Sequence, residues 1–120
     1  MRSILKVAVC AWFVAALVPA VAQDATPLSE EEATALIKGK RLDTNNARFG
    51  SVGLDLRDGG RLYGSNQGQT DSGEWRLDGG KLCLKWRRWD YDGCGVLQRR
   101  GDKVEHLYPD GSLHFTFAPK

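Results

Sequence analysis

The sequence predicts a mainly β domain: an antiparallel β-meander forming a small barrel or half-barrel, with one N-terminal α-helix. Three observations carry that prediction. After residue 50 apolar residues recur at every second position in short runs. Gly-rich turns, many of them Asp-Gly, punctuate the runs about every eight to twelve residues. No connection between runs is long enough for the crossover that parallel strands require.

The first 22 residues read as a secretory signal peptide. Arg2 and Lys6 supply positive charge, Val7 to Val18 is apolar, Pro19 ends the run, and Ala20-Val21-Ala22 offers a small-residue cleavage site. A membrane span needs about 18 or more apolar residues, so no stable membrane anchor is expected after cleavage. Cys10 lies inside the apolar run rather than at its end, which argues against a lipoprotein. The chain is therefore expected in the periplasm or secreted. Cleavage leaves 98 of the 120 residues, read as a flexible leader at 23–28 and a single disulfide-linked β-domain at 29–120.

Cleavage also changes the charge. The signal segment holds two of the 17 basic residues and none of the 15 acidic ones, so the net +2 of the whole chain falls to zero. A neutral domain has no net field to steer it to nucleic acid or anionic lipid.

Ser29 is placed to cap a helix, with Glu32 completing a capping box and Leu28 and Ala33 a hydrophobic staple. Ala33, Leu36 and Ile37 share one face, and Gly39 ends the helix. From Lys40 to Gly50 the pattern is poor and reads as a loop, with a short strand at most around Arg41-Leu42. Val52, Leu54 and Leu56 then alternate toward Asp58-Gly59-Gly60, and Leu62 falls on the same face. Residues 65–72, SNQGQTDS, read as a mobile connection.

The strongest hairpin signal follows. Trp75 and Leu77 alternate up to Asp78-Gly79-Gly80, and Leu82, Leu84 and Trp86 alternate away from it. Arg100-Gly101-Asp102 and Asp110-Gly111 mark two more turns, giving about seven strands in all. A two-residue loop at Asp110-Gly111 pairs Tyr108 with Leu113 and His106 with Phe115, which places His106 on the core face and His114 on the other. The register around Cys94 stays open, because two or three residues in the Gly101 loop would swap its face.

With Cys10 removed, Cys83 and Cys94 remain, and an even count in an exported chain favours one disulfide. Chain entropy values it at about 2–3 kcal/mol. The spacing is not the C-x-x-C of a redox pair, and no matching histidines complete a metal site.

The order helix, glycine turn, Gly73-Glu74-Trp75, Asp-Gly turn, Leu82-Cys83-Leu84-Lys85-Trp86 and later Cys94 resembles a family of small exported proteobacterial domains of unknown function. The likeness runs over residues 29 to 117, with its specific part at Gly73 to Cys94. A weaker likeness is to calycin-like small β-barrels. Together these resemblances imply an exported location and a barrel shape.

The loop after the hairpin is the best candidate site. Trp86, Trp89 and Tyr91 offer flat surfaces, while Arg87 and Arg88 can stack on them or pair with Asp90 and Asp92. Rigid aromatic and Arg groups are the usual substance of binding hot spots. The competing role for Trp86 is to close the barrel end. The function this predicts is a binding or interaction module recognising a protein or glycan of the cell envelope. The alternative is carriage of a small apolar ligand, with His106 and Tyr108 as interior contacts. Hydrolysis ranks last, since no nucleophile–base pair, paired carboxylates or phosphate-cradling loop is visible. No cofactor, metal or catalytic residue is assigned. Asp90-x-Asp92-Gly93 lacks the acidic residue that completes a calcium loop, and Arg100-Gly101-Asp102 reads as a turn rather than an adhesion signal.

Overall fold

The computed structural model describes residues 24–119, so the expected signal peptide lies outside it. In chain order the elements are β1 (Thr26–Pro27), α1 (Glu30–Ile37), β2 (Lys40–Asn46), β3 (Gly50–Leu56), β4 (Arg61–Asn66), β5 (Gln69–Asp78), β6 (Lys81–Trp86), β7 (Gly93–Arg100), β8 (Lys103–Leu107) and β9 (Leu113–Phe117). Strands β2 to β9 each pair antiparallel with the next, and β9 pairs back onto β2. The result is a closed eight-stranded barrel, which leaves none of its own edges unpaired along the ring.

The helix forms as its sequence dictates. The Ser29 hydroxyl accepts the Glu32 amide at 3.1 Å, and the Glu32 carboxylate accepts the Ser29 amide at 3.0 Å. Ala33 and Ile37 are fully buried with Leu28 in the same cluster as the barrel core. Gly39 ends the helix and donates its amide to Leu56 O at 2.7 Å, seating α1 at the β3 end of the barrel.

Three stretches depart from the sequence reading. The flexible leader expected at 23–28 is tied down in part: β1 pairs with β7, and the Leu28 amide donates to Leu97 O. The loop expected at 40–50 is mostly strand β2, in full register with β3. Its inward positions are Leu42, Thr44 and Asn46, so two of three are polar and the apolar alternation disappears. Thr44 Oγ1 is satisfied by donating to Val52 O at 2.7 Å.

The mobile connection expected at 65–72 is a tight hairpin. Asn66 pairs with Gln69, and Gln67 and Gly68 both take positive φ, 51° and 84°. That is the geometry of a two-residue turn matched to strand twist. Eight barrel strands result, rather than about seven.

The Trp75 hairpin forms as expected, with Leu77 opposite Leu82, Trp75 opposite Leu84, and Gly79-Gly80 as the turn. Two residues form the loop at Gly101-Asp102, so Leu97 opposes His106 and Cys94 opposes Cys83. The disulfide is present, with its Cα atoms 3.9 Å apart. It joins neighbouring strands on the outer surface, since Leu82 and Leu84 on either side of Cys83 point into the core.

The last hairpin differs. Leu107 pairs with Leu113 and His106 with Phe115, so β9 carries one residue more than β8 at this point. That bulge puts His114 and Phe115 both against His106, and both are buried. The expected pairing of Tyr108 with Leu113, and the placement of His114 on the outer face, are therefore corrected.

Because the strands run up and down, the loops at 47–49, 67–68, 87–92 and 108–112 share one end of the barrel. The opposite end holds the turns at 57–60, 79–80 and 101–102, together with α1. One end is closed by a helix. The other is closed by rings.

Candidate functional site

The end opposite the helix is closed by Phe49, Trp86, Trp89 and Tyr91. Trp86 is the last residue of β6 and its ring turns inward at 5 % exposure. Its centroid is 4.7 Å from Trp89 and 5.6 Å from Tyr91. Trp89 and Tyr91 stack at 5.6 Å with planes 17° apart, and Phe49 approaches Tyr91 at 5.0 Å. Gly64 in β4 makes this approach possible: a methyl group there would collide with the Trp86 and Trp89 rings.

The sequence reading offered Trp86, Trp89 and Tyr91 as flat binding surfaces, with closure of the barrel end as the competing role for Trp86. Trp86 and Tyr91 instead belong to the core, at 5 % and 7 % exposure, and only Trp89 is half-exposed. Burial wins because an eight-stranded barrel has a mouth that must be filled by side chains or opened to ligand. The Tyr91 hydroxyl is correspondingly pushed up in pKa by burial.

What holds the loop is a residue the sequence did not single out. Asp71, inward on β5, places its carboxylate under the loop at 2 % exposure. One oxygen accepts the main-chain amides of Arg88 and Trp89 at 2.8 and 2.9 Å. The other accepts Arg88 Nε at 3.4 Å, while Arg88 Nη2 donates to Thr70 O at 2.7 Å. Burial alone would raise the carboxyl's pKa. The Trp89, Arg88 and Ser72 amides and the Arg88 side chain outweigh it and hold the group at about 2.

Asp71 thus takes the pairing expected of Asp90 and Asp92. Asp92 accepts the Trp86 amide at 2.7 Å and closes the loop from its far side. Arg87 and Asp90 are exposed, with no side-chain partner among the described residues. On the other flank Asn46 Oδ1 accepts the Arg48 and Phe49 amides, and Asn66 Nδ2 donates to Phe49 O and Ser51 O. These polar clamps set Phe49 against Tyr91.

The outcome is a groove of about 360 Å³ beside the half-exposed Trp89 ring, lined by Phe49, Asn66, Gln69, Arg88, Asp90 and Tyr91. A second groove, shared by Gln69, Thr70, Arg88 and Trp89, continues from it along β5. The surface therefore offers one aromatic plane, an immobilised guanidinium, a carboxylate and two amide side chains.

The interior residues assigned to ligand carriage are otherwise engaged. His106 is fully buried, with Nε2 2.8 Å from Leu82 O and Nδ1 3.0 Å from His114 Nδ1. Both of its nitrogens are used. Tyr108 stacks on His114 at 4.6 Å and is half-buried at the barrel end. Burial depresses both imidazoles, His106 to about 4 and His114, which also faces His106, to about 3. Among the described residues no group of three or more His, Cys, Asp or Glu is placed to hold a metal ion.

Comparison of the chain with protein-family models, curated proteins and solved structures finds no match.

Proposed function

We propose that this protein is an exported envelope binding module that recognises a glycan at the Trp89 rim. The observation that supports the reading is the rigid presentation of one half-exposed indole beside polar side chains. Trp89 is backed by Trp86 and Tyr91 and its amide is fixed by Asp71. A sugar ring has an apolar face that stacks on such a plane and hydroxyls that need planar donors and acceptors. Gln69, Arg88 and Asp90 supply them around the groove.

Carriage of an apolar ligand inside the barrel is the weaker reading. Leu54, Leu56, Leu62, Leu82, Leu97, Val104 and Phe115 are buried to 1 % exposure or less in one cluster along the interior. The signal-like N-terminus and the paired cysteines favour the periplasm or the outside of the cell as the place of action.

Tryptophan fluorescence titration with soluble envelope oligosaccharides tests the proposal. Trp89→Ala and Arg88→Ala should each weaken binding at least tenfold, as hot-spot truncations do, while circular dichroism confirms the fold. Unchanged affinity in both variants removes this site. A response only to changes at His106 would favour the interior.

A further inference from the structure

The histidine pair permits one proton arrangement, and that arrangement exposes a need. His106 Nε2 faces Leu82 O, which only accepts, so this nitrogen carries the proton. Burial without a neighbouring carboxylate keeps both imidazoles neutral, and a neutral ring has a single N–H. His106 Nδ1 is then a lone pair. Its 3.0 Å contact with His114 Nδ1 needs the second proton on His114 Nδ1. His114 Nε2 is left as a buried acceptor with no protein partner.

Two other buried polar atoms have no protein partner among the described residues: Trp86 Nε1, a donor, and the Tyr91 hydroxyl, which is both donor and acceptor. All three residues are more than nine-tenths buried. They belong to one ring cluster, with the Tyr91 centroid 5.6 Å from both Trp86 and His114. Orphaned buried groups of this kind are rare in folded proteins, because an unpaired buried donor or acceptor destabilises the fold.

We propose that the Trp86–Tyr91–His114 cluster is a buried binding site for one water molecule beneath the aromatic closure. Water is the occupant whose chemistry fits all three atoms. It donates to His114 Nε2, accepts from Trp86 Nε1, and exchanges either role with the Tyr91 hydroxyl. Buried waters make about three such bonds. An anion would demand donors where His114 offers a lone pair. A cation would face the Trp86 N–H. This site lies beneath the Trp89 rim and does not depend on the glycan reading.

Nitrogen-15 correlation spectra of the full protein give the tautomers directly. The expected result is a protonated Nε2 on His106, a protonated Nδ1 on His114, and cross-relaxation between the Trp86 indole proton and a water of long residence. A protonated His114 Nε2, or an indole proton that sees no water, overturns the proposal. Tyr91→Phe supplies a second measurement with a decisive sign. If the hydroxyl is bridged by water, its loss should raise the unfolding constant roughly two- to tenfold. If it is unpaired, the substitution leaves the constant unchanged or lowers it, and the water site falls.

Discussion

Asp71 is the most informative residue to perturb, because its two oxygens do different work. One oxygen receives the Arg88 and Trp89 main-chain amides, and the other receives the Arg88 side chain. Asp71→Asn keeps an acceptor for the amides and loses the charge, at an expected cost of about 1 kcal/mol. Asp71→Ala leaves two part-buried main-chain donors and the Arg88 guanidinium without their acceptor, at about 2–4 kcal/mol. The pKa gives an independent magnitude. A carboxyl held at about 2 against an ordinary 3.8 contributes about 2 kcal/mol at neutral pH. Because the folded value is the lower one, this contribution is complete above pH 4 and lost as pH falls toward 2. Urea denaturation of the three proteins at several pH values measures all of it. Asn should fall between wild type and Ala, and the gap between wild type and Asn should narrow below pH 4. Equal losses for Asn and Ala, or a gap indifferent to pH, would refute the assignment of Asp71 as the holder of the loop.

Other perturbations follow from the same contacts. The buried imidazoles bind fewer protons than the unfolded chain below about pH 6.5, so stability should fall from there toward pH 4 for His106 and pH 3 for His114. The slope approaches about 1.4 kcal/mol per pH unit for each histidine, and a melting temperature flat between pH 7 and pH 4.5 would contradict it. Reduction of Cys83–Cys94 should cost about 2–3 kcal/mol, read as a shift of the urea midpoint; an unmoved midpoint would deny the disulfide its stabilising part. Gly64→Ala should destabilise by about 1–3 kcal/mol through overpacking against Trp86 and Trp89 and should displace the Trp89 fluorescence. Gly59→Ala, with open space around it, is the control, and equal behaviour of the two would argue against close packing at Gly64.

The barrel was legible in the sequence wherever one face of a strand is apolar throughout. Leu54, Leu56 and Leu62, and the Trp75–Trp86 hairpin, announce their register by alternation alone. Strand β2 was not legible, because Thr44 and Asn46 face inward and satisfy themselves on Val52 O and on the following turn. The 65–72 stretch misled for a related reason: its turn-forming residues are real, but only Gln67 and Gly68 form the turn. His114 was misplaced by a bulge that inserts one residue without a compositional mark. The site was half legible. Crowded rings and charges between Trp86 and Asp92 pointed to the correct barrel end, but Arg88's partner lies at Asp71, where only the fold brings it near.

The two ends of the barrel differ in a way that bears on function. At the helix end, closure is achieved with local signals: a capping box, an apolar stripe on α1 and short glycine turns. The Trp75 indole adds one side-chain bond there, donating to Arg57 O. At the ring end, closure depends on Asn46 and Asp92, which fix their own loops, and on Asn66, Asp71 and the two histidines, which reach across strands. Such a network stabilises the closure when every member is satisfied and fails badly when incomplete. It also supplies a single fixed orientation for the groups above it. Trp89 and Arg88 are the groups so fixed, and both remain open to solvent. That fixed presentation supports the recognition role proposed for this rim.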